Sequence, residues 1–344
     1  MPSEQAVAQA SNPPSARRFQ AWLALHASLL AACAASGGTD IGGGGRRDAG
    51  RLDGGDRDAA SDSGAMGSDD SGARADGTND ATGADGGSCE PPDVLVVLDR
   101  TMSMHRRPDR SVPPNTPEGR RESKWWIAVE AVEALTAMLD ETIRFGLELF
   151  PRDPGGRVCV TLSERIAGRT ATNPPCEQGE IVVPPALDTG DAIAAAIDPE
   201  TTLLCNTTPI GAALIAARAE LERIRVPGRP QYVLLVTDGQ NSEGCPRPLP
   251  EAQRLAAEGI RTFVVGFDTL GGGDDGIDVG ELNDLACAGR TAPDFPAPCT
   301  ADTSGNYRAT DRRGPPLFLH ANDAASLVER MRDIAGEICC GCLI

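Results

Sequence analysis

Residues 93–104 read DVLVVLDRTMSM: five consecutive apolar side chains bounded by aspartates, after which Thr101 and Ser103 follow Asp99 at every second position. An unbroken apolar run of strand length marks a strand buried on both faces, since alternation appears only where one face meets water. Gln231–Asp238 (QYVLLVTD) repeats the pattern and also ends in a carboxylate, and Ile260–Phe267 (IRTFVVGF) is a third such run.

Helical periods fall between these runs. Ser123–Glu141 places Trp126, Val129, Val132, Leu135 and Leu139 near one face, with Ser123 as the N-cap. Asp188–Ile197, Pro209–Ile224, Pro250–Glu258, Val279–Cys287 and Asp323–Ile338 read as further helices, the second opening with proline in its first turn. Ile143–Phe150 reads as a strand, Glu180–Val183 as an edge strand stopped by Pro184-Pro185, and Leu317–His320 as a last short strand. Strands alternating with helices predict an α/β fold: a doubly wound, mostly parallel, Rossmann-like sheet flanked by helices. Ligands of such sheets sit outside the carboxyl ends of the strands, which directs attention to the acidic ends of two apolar runs.

Three loops at those ends carry oxygen donors: Asp99, Thr101 and Ser103 after the first strand, Thr208 before a helix (TTPIGAAL), and Asp238 in VTDG. Carboxylates and hydroxyls without sulfur or imidazole suit a hard divalent cation in octahedral geometry. With these motifs in their order, residues 93–338 resemble a von Willebrand factor type A (vWA) domain. Its metal-ion-dependent adhesion site has the pattern Asp-x-Ser-x-Ser, then Thr, then Asp. That pattern falls on Asp99, Thr101, Ser103, Thr208 and Asp238, with Thr101 standing where the family has serine. The resemblance implies a Mg²⁺ site (Mn²⁺ or Ca²⁺ as substitutes), completed by a Glu or Asp carboxylate from a partner protein. It implies docking, not catalysis.

Between Met104 and Ser123 lies HRRPDRSVPPNTPEGRRE, with five arginines against three acids. Following the first metal loop, it is expected to flank the binding face, either steering acidic partners toward the ion or serving as a solvated Pro-rich loop. Cys205 and Cys245 lie on loops that must converge on the metal, so a Cys205–Cys245 bridge is expected, with Cys159–Cys176 and Cys287–Cys299 beside it. Cys89 is expected to reach Cys339, Cys340 or Cys342, although sequence leaves such connectivity open. The CxxC formed by Cys339 and Cys342 lacks the context of a redox or zinc motif.

The chain has 344 residues, 11 of them cysteine, a count that points to an oxidising compartment. Residues 1–32 read as a signal peptide: Arg17-Arg18 precede an apolar run from Phe19 to Ala32 that is too short to span a bilayer. Leu30-Ala31-Ala32-Cys33 resembles a bacterial lipobox, which implies lipidation of Cys33; the absence of Asp at position 34 favours an outer membrane. A plain signal peptide is the alternative. Residues 33–88 are nearly all Gly, Asp, Ala, Ser and Arg, a composition expected to form a disordered tether, and 89–344 is expected to be the folded domain.

A formal charge of −18 disfavours nucleic acid as a partner. A haloacid-dehalogenase-like phosphotransferase would want a second Asp where Thr101 stands, and a hydroxyl is a poor general acid. Serine hydrolysis lacks its G-x-S-x-G turn, and His105 lies too close in sequence to Ser103 to be well oriented as its base. A non-enzyme is expected: a metal-dependent binding module or, alternatively, a disulfide-stabilised structural envelope protein without a functional metal.

Overall fold

The computed structural model describes residues 90–268 and 276–340, apart from the side chains of Ala324, Cys339 and Cys340. The expected signal peptide, Cys33, the tether and any bridge from Cys89 lie outside the described residues.

Six strands form the main sheet: β1 (Asp93–Asp99), β2 (Arg144–Phe150), β3 (Glu180–Ala186), β4 (Gln231–Thr237), β5 (Arg261–Phe267) and β6 (Leu319–Ala321). Their spatial order is β6-β5-β4-β1-β2-β3. Every pairing is parallel except that of β3, which runs antiparallel to β2 at one edge. The chain builds outward from β1 to β2 on one side, then crosses to lay β4 on the other. This order reversal opens a crevice at the carboxyl ends of β1 and β4, where the two acidic runs terminate.

The longer helices are α1 (Lys124–Leu139), α2 (Gly190–Ala196), α3 (Ile210–Arg223), α4 (Pro248–Ala257), α5 (Val279–Ala288) and α6 (Ala324–Cys340). Because strand side chains alternate, β1 feeds two cores. Val94, Val96 and Leu98 pack with Phe145, Leu147 and Leu149 under Trp125, Val129, Val132 and Leu135 of α1, and Met331 and Ile334 of α6. Leu95 and Val97 pack on the opposite face with Val233 and Leu235 under Ala213, Leu214, Ala217, Leu255 and Leu285 of α3, α4 and α5. With aromatics at only 3% of the chain, alanine lets the second helix layer approach closely.

Ser123 caps α1 by accepting the Trp126 N–H at 3.2 Å. Other boundaries differ from those expected. β3 continues through Pro184-Pro185 instead of ending before them, because an edge strand tolerates residues that cannot donate to a ladder. Gly146 on β2 makes room: a Cβ there would stand 2.7 Å from the Pro185 ring. Pro209 is the N-cap of α3 and not within its first turn, and α4 starts at Pro248, two residues early. A hairpin of Cys299–Ala301 with Tyr307–Ala309 was not anticipated; its strands are three residues each, too short to show a hydrophobic period.

Candidate metal centre

Parallel pairing sets Leu98 opposite Val236, so both chains leave the same end of the sheet side by side. Asp99 and Asp238 therefore meet, and both are fully buried. The backbone turns at once: Thr101 is extended and residues 102–105 form a 3-10 turn. Asp99 Oδ1 fixes this turn by accepting the Thr101 N–H at 2.7 Å, while Asp99 Oδ2 accepts the Thr237 hydroxyl at 2.6 Å. The Thr101 and Ser103 hydroxyls share a hydrogen bond of 2.8 Å, and Ser103 Oγ donates to Asp238 Oδ1 at 2.8 Å.

Thr208 joins from the loop before α3. Its N–H donates to Ser242 Oγ at 2.8 Å, and Ser242 returns its own N–H to the Thr208 carbonyl at 2.9 Å. Gly239, after Asp238, gives its N–H to Thr237 Oγ1 at 3.3 Å. The preceding Thr207 has φ of +65°, an uncommon left-handed conformation for a β-branched residue. Thr101, Ser103 and Thr208 line a cleft of about 640 Å³. Asp99 and Asp238 are fully buried and are not among its described lining residues.

Lys124, at the start of α1, is the centre's unanticipated member. It is buried, and its Nζ lies 2.6 Å from Asp238 Oδ2 and 3.2 Å from Asp268 Oδ2. The contact with Asp238 is an ion pair lacking the alignment of a hydrogen bond. Burial pulls the Lys124 ammonium toward neutrality, but the Asp238 and Asp268 carboxylates outweigh it and hold the pKa above its ordinary value. Asp268 also receives Arg110 Nε at 3.3 Å. Asp99 has no Lys or Arg partner among the described residues. Burial, and then the Asp238 charge, push its carboxyl up to about 7, against the hydrogen bonds from Thr237 and Thr101.

The donor set is thus all oxygen, and one of its two carboxylates lacks a positive neighbour. This fits a hard divalent cation, which would favour ionised Asp99. Asp153, Cys159 and Cys205 also lie close together, but both sulfurs are in a disulfide and cannot ligate as thiolates. His105 is no base for Ser103. Its Nδ1 bonds the Met102 carbonyl, and burial, helped by Arg165, Arg106 and Lys124, lowers its pKa to about 4.

The loop bridges differ from those expected: Cys205 pairs with Cys159, and Cys176 with Cys245. A two-strand pairing explains the first. Val160 sits opposite Leu204, which places Cys159 across from Cys205. Cys205 also exchanges backbone hydrogen bonds with the first metal loop, giving its N–H to the Arg100 carbonyl and accepting the Met102 N–H. Asn173 bonds the backbone of Asn206, drawing the Cys176 loop toward this end of the sheet. The third bridge joins Cys287 to Cys299.

Lys124 gives no sequence signal beyond a lone charge between a cap and two tryptophans. Asp268 does give one, because it follows the third apolar run as Asp238 closes the second.

Residues 181–303 match the von Willebrand factor type A domain. That match includes Thr208 and Asp238 and stops short of the first metal loop. None of the curated proteins matches the chain. Among solved structures, the chain is similar to proximal thread matrix protein 1 from the mussel byssus with a zinc-occupied MIDAS motif: 17% identity, TM-score 0.44, covering 72% of this chain and 48% of that one. It thus spans about half the length of that relative. It is also similar to the conserved hypothetical protein BatB from Bacteroides thetaiotaomicron, at 16% identity and TM-score 0.40, covering 72% and 98%. The pilus adhesin SpaC from Lactobacillus rhamnosus GG matches at 14% identity and TM-score 0.42, covering 73% and 31%.

Proposed function

We propose that this chain is an extracytoplasmic docking module that captures a partner protein's carboxylate through a divalent cation. The observation that carries the reading is the cluster formed by Asp99, Thr101, Ser103 and Asp238, with Thr208 beside it: Thr101, Ser103 and Thr208 line a cleft, and the two carboxylates are fully buried. Mg²⁺ fits these donors best, and a bound ion would supply a coordination position for a Glu or Asp side chain. The protein holds the donors in register through Thr237, Gly239 and Ser242. No enzymatic step is assigned, since His105 is engaged with its own turn and Ser103 donates to a carboxylate.

Three disulfides among the described residues support residence in an oxidising compartment. No helix among the described residues is long and apolar enough to cross a membrane. Attachment by a lipid on Cys33, at the outer membrane, through a tether over 33–88 that carries the domain 89–344, completes the reading.

One observation favours a second reading, a structural envelope protein without a functional metal. Lys124 already places a positive charge against Asp238. Calorimetric titration of the purified chain with Mg²⁺, beside Asp99→Ala and Asp238→Ala, separates the two. The docking reading expects binding by the wild type and its loss in both folded variants. A folded wild type that takes up neither Mg²⁺ nor Mn²⁺ would leave the structural reading.

A further inference from the structure

The arginine-rich insertion is largely spent on the protein itself. Arg107 pairs with Glu122, Arg110 with Asp268 and Arg120 with Glu200, while Arg121 lies over the Trp126 ring. Arg106 is different. Its guanidinium donates to the Arg110 carbonyl at 3.1 Å and forms no ion pair with an acid among the described residues. Arg165, from the short helix Leu162–Ile166, joins it at the cleft that Thr101, Ser103 and Thr208 line. Its Nε is buried without a hydrogen-bond partner, and the neighbouring Glu164 is engaged by Arg169. The one acid lining this cleft among the described residues, Glu243, is exposed and pairs with neither arginine.

Two arginines that line one cleft, one with a buried and unsatisfied donor, repel each other and cost desolvation unless an anion joins them. Burial first, and then the charge of Arg106, hold the Arg165 pKa below its ordinary value.

We infer that Arg106 and Arg165 form an anion subsite beside the metal centre, which takes a second carboxylate from the same partner. This rests on the docking reading and narrows it: the partner segment carries two nearby acids, one for the cation and one for the arginines. Planar guanidinium forks suit a carboxylate, and their charge draws acidic segments to this end of an otherwise acidic molecule.

The test uses the full chain with Mg²⁺ and fluorescent Gly/Ser peptides. One peptide carries a single Glu, and a set carries a second Glu one to four residues away. The wild type is expected to bind the best two-Glu peptide at least about tenfold more tightly than the one-Glu peptide. Arg106→Gln with Arg165→Gln should erase that ratio while keeping one-Glu affinity and Mg²⁺ uptake. If the double variant melts early, Arg106→Gln alone, on a surface loop, should cut the ratio severalfold.

Equal affinity for both peptides, an unchanged ratio in the variants, or binding of neither peptide overturns the subsite. A ratio that persists with EDTA keeps the subsite and removes the metal from docking. Mg²⁺ titration of the same samples decides on the metal separately.

Discussion

β1 carries an aspartate at each end, both fully buried, and the protein treats them in opposite ways. Asp93 receives Arg144 Nε at 2.9 Å, has Arg229 at 4.0 Å and lies 3.5 Å from Gln231 Nε2. Burial raises its pKa, and the two arginines oppose the rise. Asp99 receives only neutral donors, from Thr101 and Thr237, and faces the charge of Asp238. The first end balances its charge with side chains of its own. The second leaves a carboxylate without a Lys or Arg partner among the described residues, which is the feature the proposed cation site rests on.

The sharpest way to break this contrast is at Lys124. Lys124→Met leaves Asp238 and Asp268 buried with less compensation and is expected to cost about 3–5 kcal/mol in EDTA. Mg²⁺ should restore part of that loss, as urea unfolding with and without the ion would register. If the variant loses stability equally in both conditions, Lys124 and the cation do not share a role. Next comes Asp99→Ala, expected to lower Mg²⁺ affinity at least about a hundredfold, read by calorimetry.

Acidity sharpens the comparison further. Asp99 has a folded pKa of about 7, above its unfolded value of 3.8, so protons stabilise the metal-free fold. This contribution is complete below pH 4 and lost as pH rises through 7, at about 1 kcal/mol per unit between pH 5 and 7. Saturating Mg²⁺ should flatten that part of the slope in urea titrations. Glu148 on β2 provides the control. Neither of its oxygens has a hydrogen-bond partner, and burial alone raises its pKa, so Glu148→Gln should remove a portion of the slope that Mg²⁺ leaves intact.

Smaller still, Asp93→Asn should cost about 2 kcal/mol in unfolding experiments without changing Mg²⁺ affinity. A changed affinity would mean that the two ends of β1 are coupled. Thr101→Ser keeps the hydroxyl and is expected to alter affinity less than about threefold, whereas a larger change would assign its methyl group a packing role.

How much of this is legible in the sequence follows from the range of the forces involved. Apolar runs ending in Asp99 and Asp238 are local patterns, and parallel pairing brings their ends together. The supporting residues Thr237 and Ser242 lie one and four residues from Asp238 and are within reach of a careful reading. Lys124 is not, because its meaning depends on α1 packing over the ends of β4 and β5. The Cys159–Cys205 bridge depends on a two-residue strand pairing too short to leave a hydrophobic signature. Arg106 cannot be told from its three ion-paired neighbours until the distant acids Asp268 and Glu200 take their places.

The proline pair in β3 reaches beyond its own edge. A sheet with open margins invites other chains to add strands, and molecules concentrated on one surface would be especially prone to zip together. Here one margin carries Pro184-Pro185, and the other is β6, only three residues long. Both ends of the ladder discourage polymerisation. On the docking reading, recruitment is thereby confined to the loop end of the sheet, where a chelator would reverse it without unzipping a fibre.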